Sequence, residues 1–171
     1  ENELYAVGGF QLADGVPASG IAKRVGNSWV PVGQFDMQAS ILDITFFDGS
    51  LIAIGGAYVN GGRGIIEWDG EEWSLLGPGI LGGFSGARCL QVFQDDLYVG
   101  GQIALDAGNA GQNIMRWDGT QFHGIGQGIQ RELGNTTAIA TVFAFAVHND
   151  MLFVGGGFRA AGGILADGLA T

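Results

Sequence analysis

The residues of this chain that could do chemistry are few: two histidines, one cysteine, three tyrosines and a surplus of acids. His123 and His148 could each ligate a metal or act as a base. His123 falls in an apolar-polar strand, His148 occupies the slot held by Phe47 and Phe93 and so reads as a half-buried strand residue, and two histidines without a supporting cluster make no metal site and no triad. Asp43 and Asp48 are five apart across a strand and a turn, which is not a metal spacing, and no run follows the D-x-[DN]-x-[DN]-G calcium pattern. Cys89, in ARCLQVF, reads as a small buried hydrophobe rather than a reactive thiol, and as the only cysteine it excludes an internal disulfide. The sequence therefore assigns no catalytic residue, no metal ligand and no cofactor. What remains is a polar set in glycine-rich stretches: Asp14, Asp36, Asn60, Arg63, Asp106, Asn109, Arg131, Glu132, Asn135 and Arg159. An acidic, Asn-bearing set of this kind could hold a cation or a sugar, or meet a protein. Asn135-Thr136-Thr137 also fits the N-glycosylation triplet.

The elements that must position these groups repeat. Four glycine pairs each close a short apolar run: LYAVGG at Gly8-Gly9, LIAIGG at Gly55-Gly56, LYVGG at Gly100-Gly101 and LFVGG at Gly155-Gly156. Their spacing of about fifty residues is that of a propeller blade. A second anchor follows: EWDGEEW with Trp68 and Trp73, RWDGTQF with Trp117 and Phe122, and a worn, shorter RVGNSW ending at Trp29. Each full unit reads as four strands. Strand A is an Ile/Leu/Phe run such as Ser40–Phe47, B ends in the glycine pair, C is IIEW or NIMRW, and D is EWSLL or QFHGI. Asp48-Gly49, Gln94-Asp95 and Asn149-Asp150 occupy the A–B turns. Asp69-Gly70, Asp118-Gly119 and Gly26-Asn27 occupy the C–D turns, where Asp-Gly predicts two central residues at positive φ. Trp68 and Trp73 should then be cross-strand neighbours. No stretch has helical periodicity, and at most one helical turn is expected within Arg131–Ala140.

Thirty-three glycines with only three prolines describe a turn-dense β chain. An apolar content of 47% argues against disorder. The net charge of −10 disfavours nucleic acid and anionic membrane surfaces as partners. No apolar run approaches the ~18 residues of a membrane-spanning helix, so no membrane insertion is expected.

The pattern resembles kelch-like β-propeller repeats, the group that includes the central domain of galactose oxidase-like proteins. It resembles more closely the LYVGG…RWDG…W..LG repeats of secreted or surface-anchored microbial proteins. The resemblance covers nearly the whole chain and implies an all-β antiparallel propeller segment with four-stranded blades. On this reading 1–39 is a partial blade, 40–86 and 87–141 are blades, and 142–171 is a partial blade holding only strands A and B. Val25 stands where the first unit should carry an aromatic. Two complete and two partial blades cannot close a ring, so the rest of the propeller is expected from further blades of a longer chain. A–B and C–D turns are short. The other connections, Phe10–Gly20, Gln34–Ala39, Ala57–Arg63, Gly77–Gly86, Gln102–Gln112 and Gly126–Thr141, read as long loops, and their rim is the candidate binding face. The resemblance implies a non-catalytic secreted or cell-surface module that binds a protein or glycan. Its alternative is part of a propeller enzyme, either copper radical oxidase-like or polysaccharide-active, with its active residues mostly elsewhere. Copper radical chemistry of that family needs a Tyr/His ligand set with a Tyr–Cys crosslink, and no motif here carries those ligands over.

Overall fold

The computed structural model describes residues 3–82, 86–134 and 140–171, with backbone alone for 37–39. The chain forms two compact units, Glu1–Gly79 and Ile80–Thr171. The first contains β1 (Tyr5–Val7), β2 (Leu12–Ala13), β3 (Val16–Pro17), β4 (Ile21–Val25), β5 (Ser28–Pro31), β6 (Asp36–Phe47), β7 (Ser50–Val59), β8 (Gly62–Trp68) and β9 (Trp73–Leu75). The second contains β10 (Gly86–Phe93), β11 (Asp96–Gln102), a 3-10 turn at Leu105–Ala107, β12 (Ile114–Trp117), β13 (Phe122–Gly124), β14 (Ile129–Gln130), β15 (Thr141–His148), β16 (Met151–Gly157), β17 (Ala160–Ala161), β18 (Ile164–Leu165) and β19 (Leu169–Ala170). The protein is all-β, without an α-helix among the described residues.

Besides a β2-β3 hairpin and a small β14-β17-β18 sheet, four antiparallel sheets carry the two units, with strand orders β1-β4-β5, β6-β7-β8-β9, β10-β11-β12-β13 and β15-β16-β19. They are sheets 1 to 4 below. Sheets 2 and 3 are four-stranded meanders in the expected A–B–C–D order. Their A–B turns have both central residues in the left-handed region: Asp48 and Gly49 at φ 48° and 84°, Gln94 and Asp95 at 50° and 64°. That is the twist a two-residue hairpin requires. The C–D turns differ from expectation. Four residues separate Trp68 from its partner Trp73, and only the glycine (Gly70, φ 108°) is left-handed. Asp69 instead stays in ordinary backbone and uses its carboxylate as a cap, accepting from the Glu71 and Glu72 amides at 2.8 Å.

One glycine keeps a common place in the last three sheets. Gly55, Gly101 and Gly156 each sit opposite a β-bulge in strand A, paired with Ile41, Ala87 and Val142. A Cβ there would stand 2.4, 2.2 and 2.2 Å from the carbonyl oxygens of Ser40, Gly86 and Thr141. No side chain fits against that backbone. The glycine pairs are therefore not equivalent from sheet to sheet. The bulge glycine is the first of the pair at Gly55 and the second at Gly101 and Gly156, so Gly56 and Gly100 fall at different register positions.

Each unit has an apolar core, shared by sheets 1 and 2 in the first and by sheets 3 and 4 and the small β14-β17-β18 sheet in the second. In the first unit Ile21 and Val32 pack with Ile41, Leu51, Ala53, Ile66 and Trp73. In the second, Cys89, Ile114 and Ile129 pack with Val142, Val154 and Phe158. Each such side chain contributes about 1.5–3 kcal/mol when fully buried. Cys89 is buried, as expected. Trp68 and Trp73 lie 5.3 Å apart and Trp117 and Phe122 4.8 Å apart between ring centroids, as cross-strand neighbours should.

Four expectations need correction. The last unit does begin a third strand, because β19 pairs Leu169 and Ala170 with Gly155 and Val154 of β16. In the first unit the residue in register with Trp117 is Arg24, not Val25. Its guanidinium lies 5.6 Å from the Trp29 ring centroid, so a cation–π contact replaces an aromatic pair. Two supposed long loops are hairpins: Ala57–Arg63 is a tight turn at Asn60-Gly61 between β7 and β8, and Phe10–Gly20 contains β2 and β3 around Asp14-Gly15. His148 is exposed rather than half-buried. The expected helical turn falls partly on 135–139, outside the described residues.

Candidate functional site

The elements place the sequence-derived polar residues in two groups, one in each unit. In the first unit the extended β7–β8 hairpin draws three of them together. Asp36 of β6 pairs with Tyr58 of β7, which pairs with Arg63 of β8. Directly paired residues share a face of the sheet, so acid, phenol and guanidinium form one row about 10 Å long. Tyr58 is 40% exposed, and Asn60, at φ 50°, caps the hairpin tip beside it. Tyr58 was not among the sequence candidates. The signal for it was Asn60-Gly61, whose two positive-φ residues announce a hairpin and so set Tyr58 opposite Arg63. Asp14 lies apart from this row in β-sheet order. It sits at φ 47° in the β2–β3 turn, and its Oδ2 accepts from the Trp29 amide at 2.7 Å.

In the second unit the set disperses. Asn109 is buried and holds backbone: its Oδ1 accepts from Leu81 N at 2.9 Å, and its Nδ2 donates to the Leu81 and Ala104 carbonyls. Two buried amides that were not singled out in the sequence do the same work. Asn113 Oδ1 accepts from Ile103 N, its Nδ2 donates to Ile129 O at 2.7 Å, and Gln112 Oε1 accepts from Leu105 N. These side chains replace strand ladders where the B–C connection is irregular, leaving its backbone polar groups satisfied. Asp106, Arg131 and Glu132 are exposed, and the Arg159 Nε lies 3.7 Å from Asp167 Oδ1 in an exposed pair. Asn135 and its glycosylation triplet lie outside the described residues.

The opposite, tight-turn end carries the resolved electrostatics. Asp118 Oδ1 accepts from the Thr120 hydroxyl at 2.7 Å and from the Thr120 and Gln121 amides, while its Oδ2 meets His123 Nε2 at 2.6 Å. These bonds, the Thr120 hydroxyl foremost, hold its carboxyl well below the usual range. The Tyr5 hydroxyl donates to Glu3 at 2.8 Å, and burial followed by that bond pushes its pKa up to about 12. Tyr5 lines a groove of about 300 Å³ with Val32, Gly33, Leu51 and Trp68. A larger, apolar groove of about 710 Å³ lies in the second unit. Among the described residues no three His, Cys, Asp or Glu side chains converge as metal ligands. The arrangement offers hydrogen-bond donors, acceptors and an exposed ring for recognition.

No family model matches this chain, and no curated protein matches it. No helix among the described residues is long and apolar enough to cross a membrane.

Proposed function

We propose that the chain is a non-catalytic binding or scaffold module of the secreted or cell-surface kind, formed by kelch-like propeller blades that belong to a longer protein. It presents the B–C side of its sheets to a protein or glycan. The observation that carries this reading is the Asp36–Tyr58–Arg63 row. An exposed aromatic ring flanked by an acid and a guanidinium can stack on a sugar ring or a peptide side chain while hydrogen bonds on both sides set its orientation. The buried or half-buried state of all four tryptophans adds support, since it assigns those rings to packing and leaves Tyr58 as the ring available for contact on this side of sheet 2. Acidity and low lysine content fit an extracellular setting.

A glycan array probed with the purified chain and with Tyr58→Ala and Arg63→Ala tests this, together with surface-plasmon screening against extracellular proteins. Binding that both substitutions reduce at least about tenfold, at unchanged thermal stability, is expected. Binding indifferent to both would refute the assigned face. Copper uptake with peroxide release would refute the non-catalytic reading.

A further inference from the structure

Strand A of sheets 2, 3 and 4 carries one residue more than its partner strand needs. In sheet 2 Ile41 pairs with Gly55 and Asp43 with Ile54. In sheet 3 Ala87 pairs with Gly101 and Cys89 with Gly100, and in sheet 4 Val142 pairs with Gly156 and Ala144 with Gly155. Leu42, Arg88 and Phe143 are the residues left over, one at each bulge. A bulge re-aims a side chain that an unbroken ladder would send to one face. Ile41, Ala87 and Val142, just before the bulges, are buried, whereas Leu42 and Phe143 are 47% and 59% exposed and Arg88 is exposed too. The bulge glycines hold this backbone constant, because no Cβ fits against it. The side chain at the bulge is free to vary, and it runs from leucine to arginine to phenylalanine.

In the second unit two of these residues flank one contact. β10 and β15 are the first strands of sheets 3 and 4, and they meet at the bulges, where the Cys89 thiol lies 4.0 Å from the Val142 carbonyl oxygen. Arg88 precedes the one and Phe143 follows the other. Sheet 4 therefore covers sheet 3 at this point, and Arg88 stays exposed all the same. Its charge is uncommitted. Lys23 meets Glu3, Arg24 lies against the Trp29 ring, Arg116 meets Asp96 and Arg159 lies near Asp167, whereas the Arg88 guanidinium has no hydrogen bond or ion pair among the described residues. In a chain of net charge −10, a guanidinium left without a carboxylate is the exception. The Phe143 ring lies over Gly157, where a Cβ would stand 3.6 Å from its Cε2, and most of the side chain is open to solvent.

We infer that Arg88 and Phe143 form a binding site for a uronate, a sugar ring that carries one carboxylate. The guanidinium donates two parallel N–H bonds to the carboxylate, and the exposed phenyl ring covers the C–H face of the sugar. A single carboxylate matches a single guanidinium, whereas a polyanion would be repelled by a chain of net charge −10. An acidic peptide is the poorer fit. Peptides add to a sheet edge through regular main-chain pairing, and the bulges break the ladders of β10 and β15 at this point. The site does not use the Asp36–Tyr58–Arg63 row, so either assignment can fail without the other.

The test titrates the isotope-labelled full chain with methyl glucuronide and with methyl glucoside, which differ only in the carboxylate, and follows amide shifts by NMR. Shifts are expected around Ala87–Cys89 and Val142–Ala144, with the glucuronide bound at least about tenfold more tightly than the glucoside. Arg88→Gln should bring the glucuronide down to the level of the glucoside. Phe143→Ala should weaken it about fivefold or more. Both side chains are exposed, so both variants should melt with the wild type, and Tyr58→Ala should leave the glucuronide affinity unchanged. Equal affinity for the two sugars, a preference that survives Arg88→Gln, or absence of binding would overturn the assignment. So would an acetylated glutamyl tripeptide that binds as tightly as the glucuronide, since a peptide would then be the ligand.

Discussion

Removing the Trp73 indole should unfasten the first unit's core in a way that separates packing from hydrogen bonding. The side chain is 5% exposed, stacks edge-on to Phe35 at 5.5 Å and donates to the Val32 carbonyl, which is itself buried. Trp73→Ala deletes a ring that buries about 150–250 Å² and leaves a void between sheets 1 and 2, so a loss of about 3–5 kcal/mol is expected. Trp73→Phe keeps most of the ring contact but strands the Val32 carbonyl, which should cost about 1–3 kcal/mol. Hydrogen exchange read by mass spectrometry over β4–β9 is the suitable assay, because it reports the first unit separately from the second. Alanine should lower protection of the core amides of β7 and β8 by about a hundredfold or more, and phenylalanine by about tenfold. A Trp73→Ala cost under about 1 kcal/mol, the size of an ordinary surface change, would refute the claim that the indole fills the core. A phenylalanine cost equal to the alanine cost would show that ring packing contributes nothing beyond the hydrogen bond.

Gly101→Ala should destabilise the second unit by about 1–3 kcal/mol or more, since its Cβ would fall 2.2 Å from the Gly86 oxygen and 2.9 Å from Ala87 Cα, both backbone. Gly86→Ala, with nothing within 4 Å of its Cβ, is the matched control and should stay near neutral in urea titration; equal effects would sink the bulge assignment. Tyr5 keeps its proton in the folded chain to about pH 12, while the unfolded phenol loses it near about 10. Its contribution is therefore complete below about pH 10 and is lost as pH rises through 12. Melting temperatures taken between these limits should fall more steeply for the wild type than for Tyr5→Phe, and identical slopes would contradict the upward shift assigned to that hydroxyl.

Local chemistry was readable wherever one residue type had a unique physical consequence. Asp48-Gly49 declared a hairpin because glycine and aspartate tolerate left-handed backbone, and the Trp68/Trp73 spacing declared cross-strand partners. The same rule applied to Asn60-Gly61 and Asp14-Gly15 would have revealed two further hairpins, which the glycine richness of their surroundings disguised as loops. The row at Tyr58 follows from the Asn60-Gly61 hairpin, because pairing across a turn sets which residues face the same way. Asn109 illustrates the opposite case. Nothing in its neighbours distinguishes an amide that meets a ligand from one that holds Leu81 and Ala104 in place.

By itself, then, the order of residues determined the β class, the repeat and the tight turns, since each depends on preferences acting over a few bonds. Only the tertiary structure decided which glycine of each pair faces a bulge and which Asn is buried. Those outcomes depend on what lies across from a residue in the next strand or sheet. A neighbour supplied by chain tens of residues away leaves no mark on the local sequence.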